Sequence, residues 1–430
     1  MSEPRYCSLL WTHMSNEPKG QVRTCCIANK RVTDESGEEF TLGKHGVKEI
    51  FHSEFYKNIR QEIRDGKLPD NCKPCWDEEE RGMKSKREIY NEYSERFFDK
   101  IDYLVEPNMP QDFQLIFNNV CNIKCRMCNP QYSTKWVQES EDRGLPYIKY
   151  DVEVDMMDKE NSQFWKRIDE WIPHIKRLEI MGGEPFYIPE FREFVDILIE
   201  KKISKKISIS FSTNGTIIDK DFIKKLIDNF DTVGFNVSID GATTHRFEYI
   251  RHGALWNEVS KNLDYLHGLH ATTKKSIERH ETSTRVSVGI TCTITALNVM
   301  YLPEYHKIFE DRWPEFEIFH NIAHKPTWYN PNVFPTKLKS LIADNIKMGE
   351  YRDEYKNEIN GIVKQVLSDS ENPKGWDLFQ KQVVSGDSYR KEDFRKSFSK
   401  LYNNIKDEFD YEKHYTLAQN NIKYGTTNTI

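Results

Sequence analysis

Cys121-Asn122-Ile123-Lys124-Cys125-Arg126-Met127-Cys128 is a Cys-x3-Cys-x2-Cys run placed directly after the apolar stretch Phe113 to Phe117. Three thiolates this close together suit a soft metal centre, and they leave a coordination position for something other than protein. A structural zinc site closes with four protein ligands, and the bacterial ferredoxin run has a different spacing, so neither matches this stretch by itself. A zinc knuckle completed by a distant His, or three reduced surface thiols, also stays open on the spacing.

Downstream, short apolar runs alternate with helical patterns from Asp112 to about His324. The runs Phe113 to Phe117, Arg177 to Met181, Ile207 to Ser212, Thr232 to Ile239, Arg285 to Thr293 and Phe316 to Asn321 read as strands. Pro189 to Lys201, Asp219 to Asn229, Leu255 to His270 and Leu302 to Arg312 read as helices between them. Strands separated by helices predict a parallel α/β sheet with right-handed crossovers, and functional groups then belong at the strands' carboxyl ends. Those ends carry signals. Met181-Gly182-Gly183-Glu184-Pro185 follows the second strand, where two glycines allow close backbone approach to a ligand and a carboxylate can pair with an ammonium. Ser212-Thr213-Asn214-Gly215 and Ser238-Ile239-Asp240-Gly241 end the next two, and Arg251 follows in Ile250-Arg251-His252-Gly253. Taken singly, these are polar turns and a surface arginine.

Upstream lies a second cysteine set: Cys7, the adjacent Cys25 and Cys26, and Cys72-Lys73-Pro74-Cys75. Gly20 to Cys25 reads as a turn feeding a short strand, and Ile50 to Arg64 has a helical period leading to the Cys-x2-Cys turn. These positions can converge on one metal; iron–sulfur and zinc are equally reasonable by donor type. After the acidic run Glu78 to Glu80, acidic and basic residues alternate from Gly82 to Arg96, which reads as a solvated helix, and Pro107 and Pro110 mark a linker. Cys292, alone in an apolar run, reads as a packed strand cysteine.

The cysteine loop, followed by the Gly-Gly-Glu-Pro turn, the two polar strand ends and the arginine in that order, resembles the radical S-adenosylmethionine enzymes. The resemblance implies a partial (β/α)6 TIM-like barrel over residues 112–325. It implies a four-iron four-sulfur cluster on Cys121, Cys125 and Cys128, which splits S-adenosylmethionine to a 5′-deoxyadenosyl radical that takes a hydrogen atom from a substrate. Gly182, Gly183 and Glu184 would hold the cofactor's amino group, Thr213, Asn214, Ser238 and Asp240 its ribose or methionine part, and Arg251 its carboxylate. Met127 stands where many members have an aromatic residue; it is still polarizable and able to pack near a cofactor. Residues 1–95, with Leu42-Gly43 between the cysteines, are similar to the twitch or SPASM-type modules that hold an auxiliary four-iron cluster. That implies ligands among Cys7, Cys25, Cys26, Cys72 and Cys75, the Gly-x4-Cys step favouring Cys25. In this alignment residues 96–111 form a linker and 326–430 a mostly helical extension. An electron donor of the reductase, flavodoxin or ferredoxin type is implied, and a peptide or protein is the preferred substrate. A small metabolite or nucleotide substrate is the alternative, as is a non-enzymatic iron–sulfur electron carrier.

Composition bounds these readings. The 430 residues hold two or three domains; 37% are hydrophobic and 30% charged, as in a chain with a heavily solvated surface. No apolar run approaches the ~20 residues that cross a bilayer, and Met1 to Tyr6 has no signal-peptide core, so a cytoplasmic, membrane-free protein is expected. A net charge of −6 with no basic tail does not favour nucleic acid. Nine cysteines in such a chain point to metal or redox chemistry more than to disulfides. The end from Gly425 to Ile430 reads as a polar tail.

Overall fold

The computed structural model describes residues 5–80, 84–145, 147, 152–278, 284–368 and 372–419. The residues around Gly82 and the tail from Gly425 lie outside them. One eight-stranded sheet organises the chain in the order β2-β1-β3-β4-β5-β6-β7-β8. Its strands are β1 (His13–Asn16), β2 (Val22–Arg23), β3 (Asp112–Ile116), β4 (Arg177–Met181), β5 (Ser208–Thr213), β6 (Thr232–Ser238), β7 (Arg285–Ile294) and β8 (Glu317–Ile322). From β3 to β8 every pairing is parallel, each strand reached through a crossover that contains a helix. The sheet is an open α/β barrel wall, ending at β2 on one side and β8 on the other.

All six expected strands are present, and the sheet gains two more from the N-terminal segment. β1 pairs parallel with β3, His13 opposite Asp112, and β2 returns antiparallel to β1. The joint also carries a polar contact. His13 Nδ1 lies 2.9 Å from Asp112, which also takes the Arg177 guanidinium at 3.1 Å. The helix Lys86–Phe97 is less solvated than its alternating charges suggest, because Tyr90 accepts a hydrogen bond from Arg177 and Ser94 is buried. Cys72 ends a 3-10 turn at Asp70–Cys72, and Cys75 lies inside the helix Lys73–Glu80 rather than in a turn.

The two faces of the sheet follow the period-2 alternation. Phe113, Leu178, Ile180, Ile209, Phe211, Val233 and Phe235 are buried under the crossover helices, among them Pro189–Glu200 with Phe191 and Phe194 turned inward. Each such aromatic or aliphatic side chain contributes roughly 1.5–3 kcal/mol by leaving water. The opposite face carries Ser210, Ser212, Asn236, Ser238, Thr291 and Thr293, all only half-buried. After β8 the chain is helical: Thr336–Lys347, Lys356–Val366, Pro373–Arg390, Ser399–Ile405 and Tyr411–Gln419. The loop from Pro326 to Pro335 is a packing corner, with Tyr329, Pro331 and Val333 buried.

Candidate functional site

The cysteine loop leaves the carboxyl end of β3 and is fastened on several sides. Cys128 N donates to Cys125 O at 3.0 Å, and Ser133 Oγ and Trp136 Nε1 donate to Ile123 O and Cys125 O, each at 2.8 Å. Two more backbone bonds join it to the segment carrying Arg251: Lys124 N to His252 O at 3.0 Å and Arg126 N to Ile250 O at 2.7 Å. The three sulfurs sense one another. Burial pushes the Cys128 thiol up, and the neighbouring Cys125 and Cys121 push it further. Cys125 rises to about 11 through burial, opposed by Arg251, whose Nη1 lies 3.7 Å from its Sγ. Asn214 Nδ2 approaches Cys121 Sγ at 4.0 Å. Clustered thiols flanked by N–H donors are the donor set of an iron–sulfur cluster. Among the described residues, no three His, Cys, Asp or Glu side chains converge on one ion-sized point.

The Gly-Gly-Glu-Pro turn packs directly on this loop. Gly182 and Gly183 have φ of 77° and 52°. A Cβ would meet Ile116 Cγ2 at 2.2 Å in the first and Val120 O at 2.2 Å in the second. The glycines therefore let two backbone segments of the protein touch, and Glu184 N closes the contact by donating to Val120 O at 2.9 Å. Glu184 is fully buried; its carboxylate accepts from Thr213 Oγ1 and Asn214 N, both at 2.7 Å, and from Phe186 N at 3.3 Å. Burial outweighs those three donors and raises its carboxyl to about 7. Asn214 also donates to Asn122 Oδ1 at 2.8 Å. Arg251 pairs with the buried Asp240 at 2.7 Å, and Asp240 Oδ1 accepts from Thr293 N. Ser238 ends β6 opposite Thr291, half-buried, and Met127 packs at the edge of the core. The candidates thus gather at the carboxyl ends of β3 to β6, with Glu184 and Arg251 each engaged by protein partners.

In the N-terminal segment Cys7, Cys25, Cys72 and Cys75 line one small cavity, together with Thr24, Trp76 and Arg87. Burial, then the Cys75 sulfur, pushes Cys7 up to about 12, and Cys72 is raised by burial and by Cys7, Cys25 and Cys75. Cys26 is not part of this lining; it is exposed and takes the Lys86 ammonium at 2.9 Å. Cys292 is buried in β7, as a packed strand cysteine would be.

Residues 115–277 match the model of the Radical SAM superfamily, and residues 7–76 match that of the iron–sulfur cluster-binding domain called SPASM. The chain thus carries a radical SAM region. Its iron–sulfur domain precedes the radical SAM region, the order expected from the cysteine spacing. A curated relative, an S-adenosylmethionine-dependent nucleotide dehydratase of Psychrobacter lutiphocae, is 32% identical over 82 residues, 19% of this chain and 26% of the relative. Among solved structures, anSMEcpe with bound AdoMet is 21% identical, covering 64% of this chain and 61% of that one, with a TM-score of 0.35. Streptococcus suis SuiB bound to its precursor peptide SuiA is 12% identical, covering 71% and 60%, with a TM-score of 0.32. The chain thus spans about a quarter of the curated relative and about three fifths of these solved chains.

For a radical SAM enzyme, several well-placed residues were not among the sequence candidates. Asn122 bridges Asn214 and Thr216 across the cysteine loop. Arg126, itself inside the quoted run, is buried with its guanidinium against Asp387 and Glu392. A charged residue between two clustered cysteines was a signal available in the sequence; nothing around Asp387 announced its partner.

Proposed function

We propose that the chain binds S-adenosylmethionine at the loop Cys121, Cys125 and Cys128 and uses it to take a hydrogen atom from a peptide or protein substrate. The observation that carries this reading is the meeting of three sulfurs with Glu184, Asn214 and Arg251 at one end of a parallel sheet. When bound, the four-iron cluster supplies the electron that cleaves the sulfonium to a 5′-deoxyadenosyl radical. The chain's own part is positional. Glu184, with Gly182 and Gly183 fixing its turn, would receive the cofactor's ammonium, and Thr213, Asn214, Ser238 and Asp240 would hold its ribose and methionine part. Arg251 would exchange its Asp240 partner for the cofactor carboxylate through a forked hydrogen bond, with Met127 packing near the adenine.

The four-cysteine cavity of Cys7, Cys25, Cys72 and Cys75 supports a second, auxiliary four-iron cluster. Full protein ligation would suit it to electron transfer, with a flavodoxin- or ferredoxin-type donor supplying the first electron. In this reading residues 1–95 are the auxiliary module, 96–111 a linker, 112–325 the catalytic barrel and 326–430 an extension, and the protein works in the cytoplasm. No helix among the described residues is long and apolar enough to cross a membrane.

The open sheet face bears on the substrate. It presents Ser210, Ser212, Asn236, Ser238, Thr291 and Thr293, while the nearby Arg177 and Arg251 are committed to Asp112 and Asp240. Hydroxyls and amides suit peptide groups, whereas nucleotide phosphates call for cations. The nucleotide reading, favoured by the short similarity to a nucleotide dehydratase, is second. The test is anaerobic reconstitution with iron and sulfide, then reduction with S-adenosylmethionine. 5′-Deoxyadenosine is expected from the intact chain and not from the Cys121/Cys125/Cys128 triple Ala variant, in which about four irons remain on the auxiliary site. Equal product from both chains refutes the assignment.

A further inference from the structure

The cysteine loop contains two basic residues, and the C-terminal extension contacts both. Lys124 Nζ lies over the Tyr389 ring at 5.0 Å and pairs at 2.8 Å with the buried Glu139, which also accepts from Arg390 Nε at 3.0 Å. Arg126, only 3% exposed, lies over the Tyr249 ring at 3.7 Å and donates to Tyr249 O and Val383 O. Its Nη2 pairs with Asp387 at 2.5 Å and with Glu392. Asp387 is fully buried and further fixed by Phe394 N and Tyr411 Oη, both at 2.7 Å. Glu392 reaches on to His252 Nδ1 at 2.6 Å, the residue after Arg251 and the one whose carbonyl accepts from Lys124 N. The fit is tight: a Cβ on Gly386 would meet Arg126 Nη1 at 2.7 Å.

One guanidinium therefore joins three segments distant in sequence, namely the cysteine loop, the Arg251 segment and the helix Pro373–Arg390 with the turn after it. We propose that Arg126 is a positioning residue, and that Asp387 and Glu392 clamp the cysteine loop and the Arg251 segment into one rigid unit, fixing Arg251 relative to the sulfurs. The C-terminal extension is then part of the cofactor site without touching the cofactor. A guanidinium with two carboxylates on Nη2, carbonyls on Nε and Nη1 and an aromatic ring on its face is fixed in direction as well as distance, as a lone ion pair would not be. This inference rests on the reading of Cys121, Cys125, Cys128 and Arg251 given above.

The full-length chain with Asp387→Asn and with Glu392→Gln tests it, with Lys381→Gln on the solvent side of the same helix as control. In the metal-free, reduced protein, iodoacetamide should alkylate Cys121, Cys125 and Cys128 about tenfold faster in the two clamp variants, while Cys7, Cys72 and Cys75 react at the parent rate. In the reconstituted enzyme, KM for S-adenosylmethionine should rise about tenfold with a much smaller change in kcat, and the electron paramagnetic resonance spectrum of the reduced cluster with S-adenosylmethionine should shift. Parent alkylation rates in both variants overturn the clamp. An unchanged KM and spectrum overturn the positioning role even if alkylation quickens. If the parent chain forms no 5′-deoxyadenosine, the functional reading falls, and the alkylation comparison still decides the clamp.

Discussion

Glu184 sits where burial and hydrogen bonding oppose each other, and burial dominates: its carboxyl rises from 4.5 to about 7. An acid whose folded value lies above its unfolded one holds extra protons in the folded state between the two, so stability falls as pH rises from 4.5 to 7 and is level on either side. At about 1.4 kcal/mol per pKa unit the loss is at most about 3.5 kcal/mol. Thermal melts of the metal-free chain from pH 5 to 8 should show that decline, and Glu184→Gln should flatten it. Cys25 and Cys26 make a second single-residue case. The Gly-x4-Cys step favoured Cys25 without settling the choice, because either of two adjacent residues can face a metal. The structure puts Cys25 in the four-cysteine cavity and Cys26 against Lys86. Cys25→Ser should therefore lose the auxiliary iron after reconstitution while Cys26→Ser keeps about four irons there, as iron and sulfide assays would read.

The elements of the barrel were the most legible part of the sequence. Arg177–Met181 and Leu302–Arg312 occur with the boundaries expected, because period-2 and period-3.6 patterns end there against prolines, glycines and charge. β1 was not legible. His13-Met14-Ser15-Asn16 is polar at three of its four positions yet buried at all four, and it gains its meaning only from a partner strand that begins at Asp112. The Gly182-Gly183 turn was legible from its two glycines, but its close packing on Ile116 and Val120 was not. Gly183→Ala would combine a left-handed backbone with a 2.2 Å contact to a carbonyl oxygen, at a cost of about 2 kcal/mol or more. A denaturant melt should register that cost, together with reduced iron on Cys121, Cys125 and Cys128.

The whole molecule is more continuous than its motifs suggest. Four cysteines, a cysteine loop and a helical tail read as separate blocks in the sequence, since each carries its own local signal. What joins them is long-range pairing, His13 with Asp112 and Arg126 with Asp387, and such pairing leaves no local trace. The extension after β8 was legible as helix and silent as to role for the same reason.

The arrangement of β1 beside β3 also sets an order of events at the ribosome. A strand that must wait for a partner about a hundred residues later stays unpaired for roughly 5–20 s at ordinary translation speeds. During that interval Cys7, Cys25, Cys72 and Cys75 emerge without the completed sheet beside them, so four nascent thiols wait for the fold that buries them.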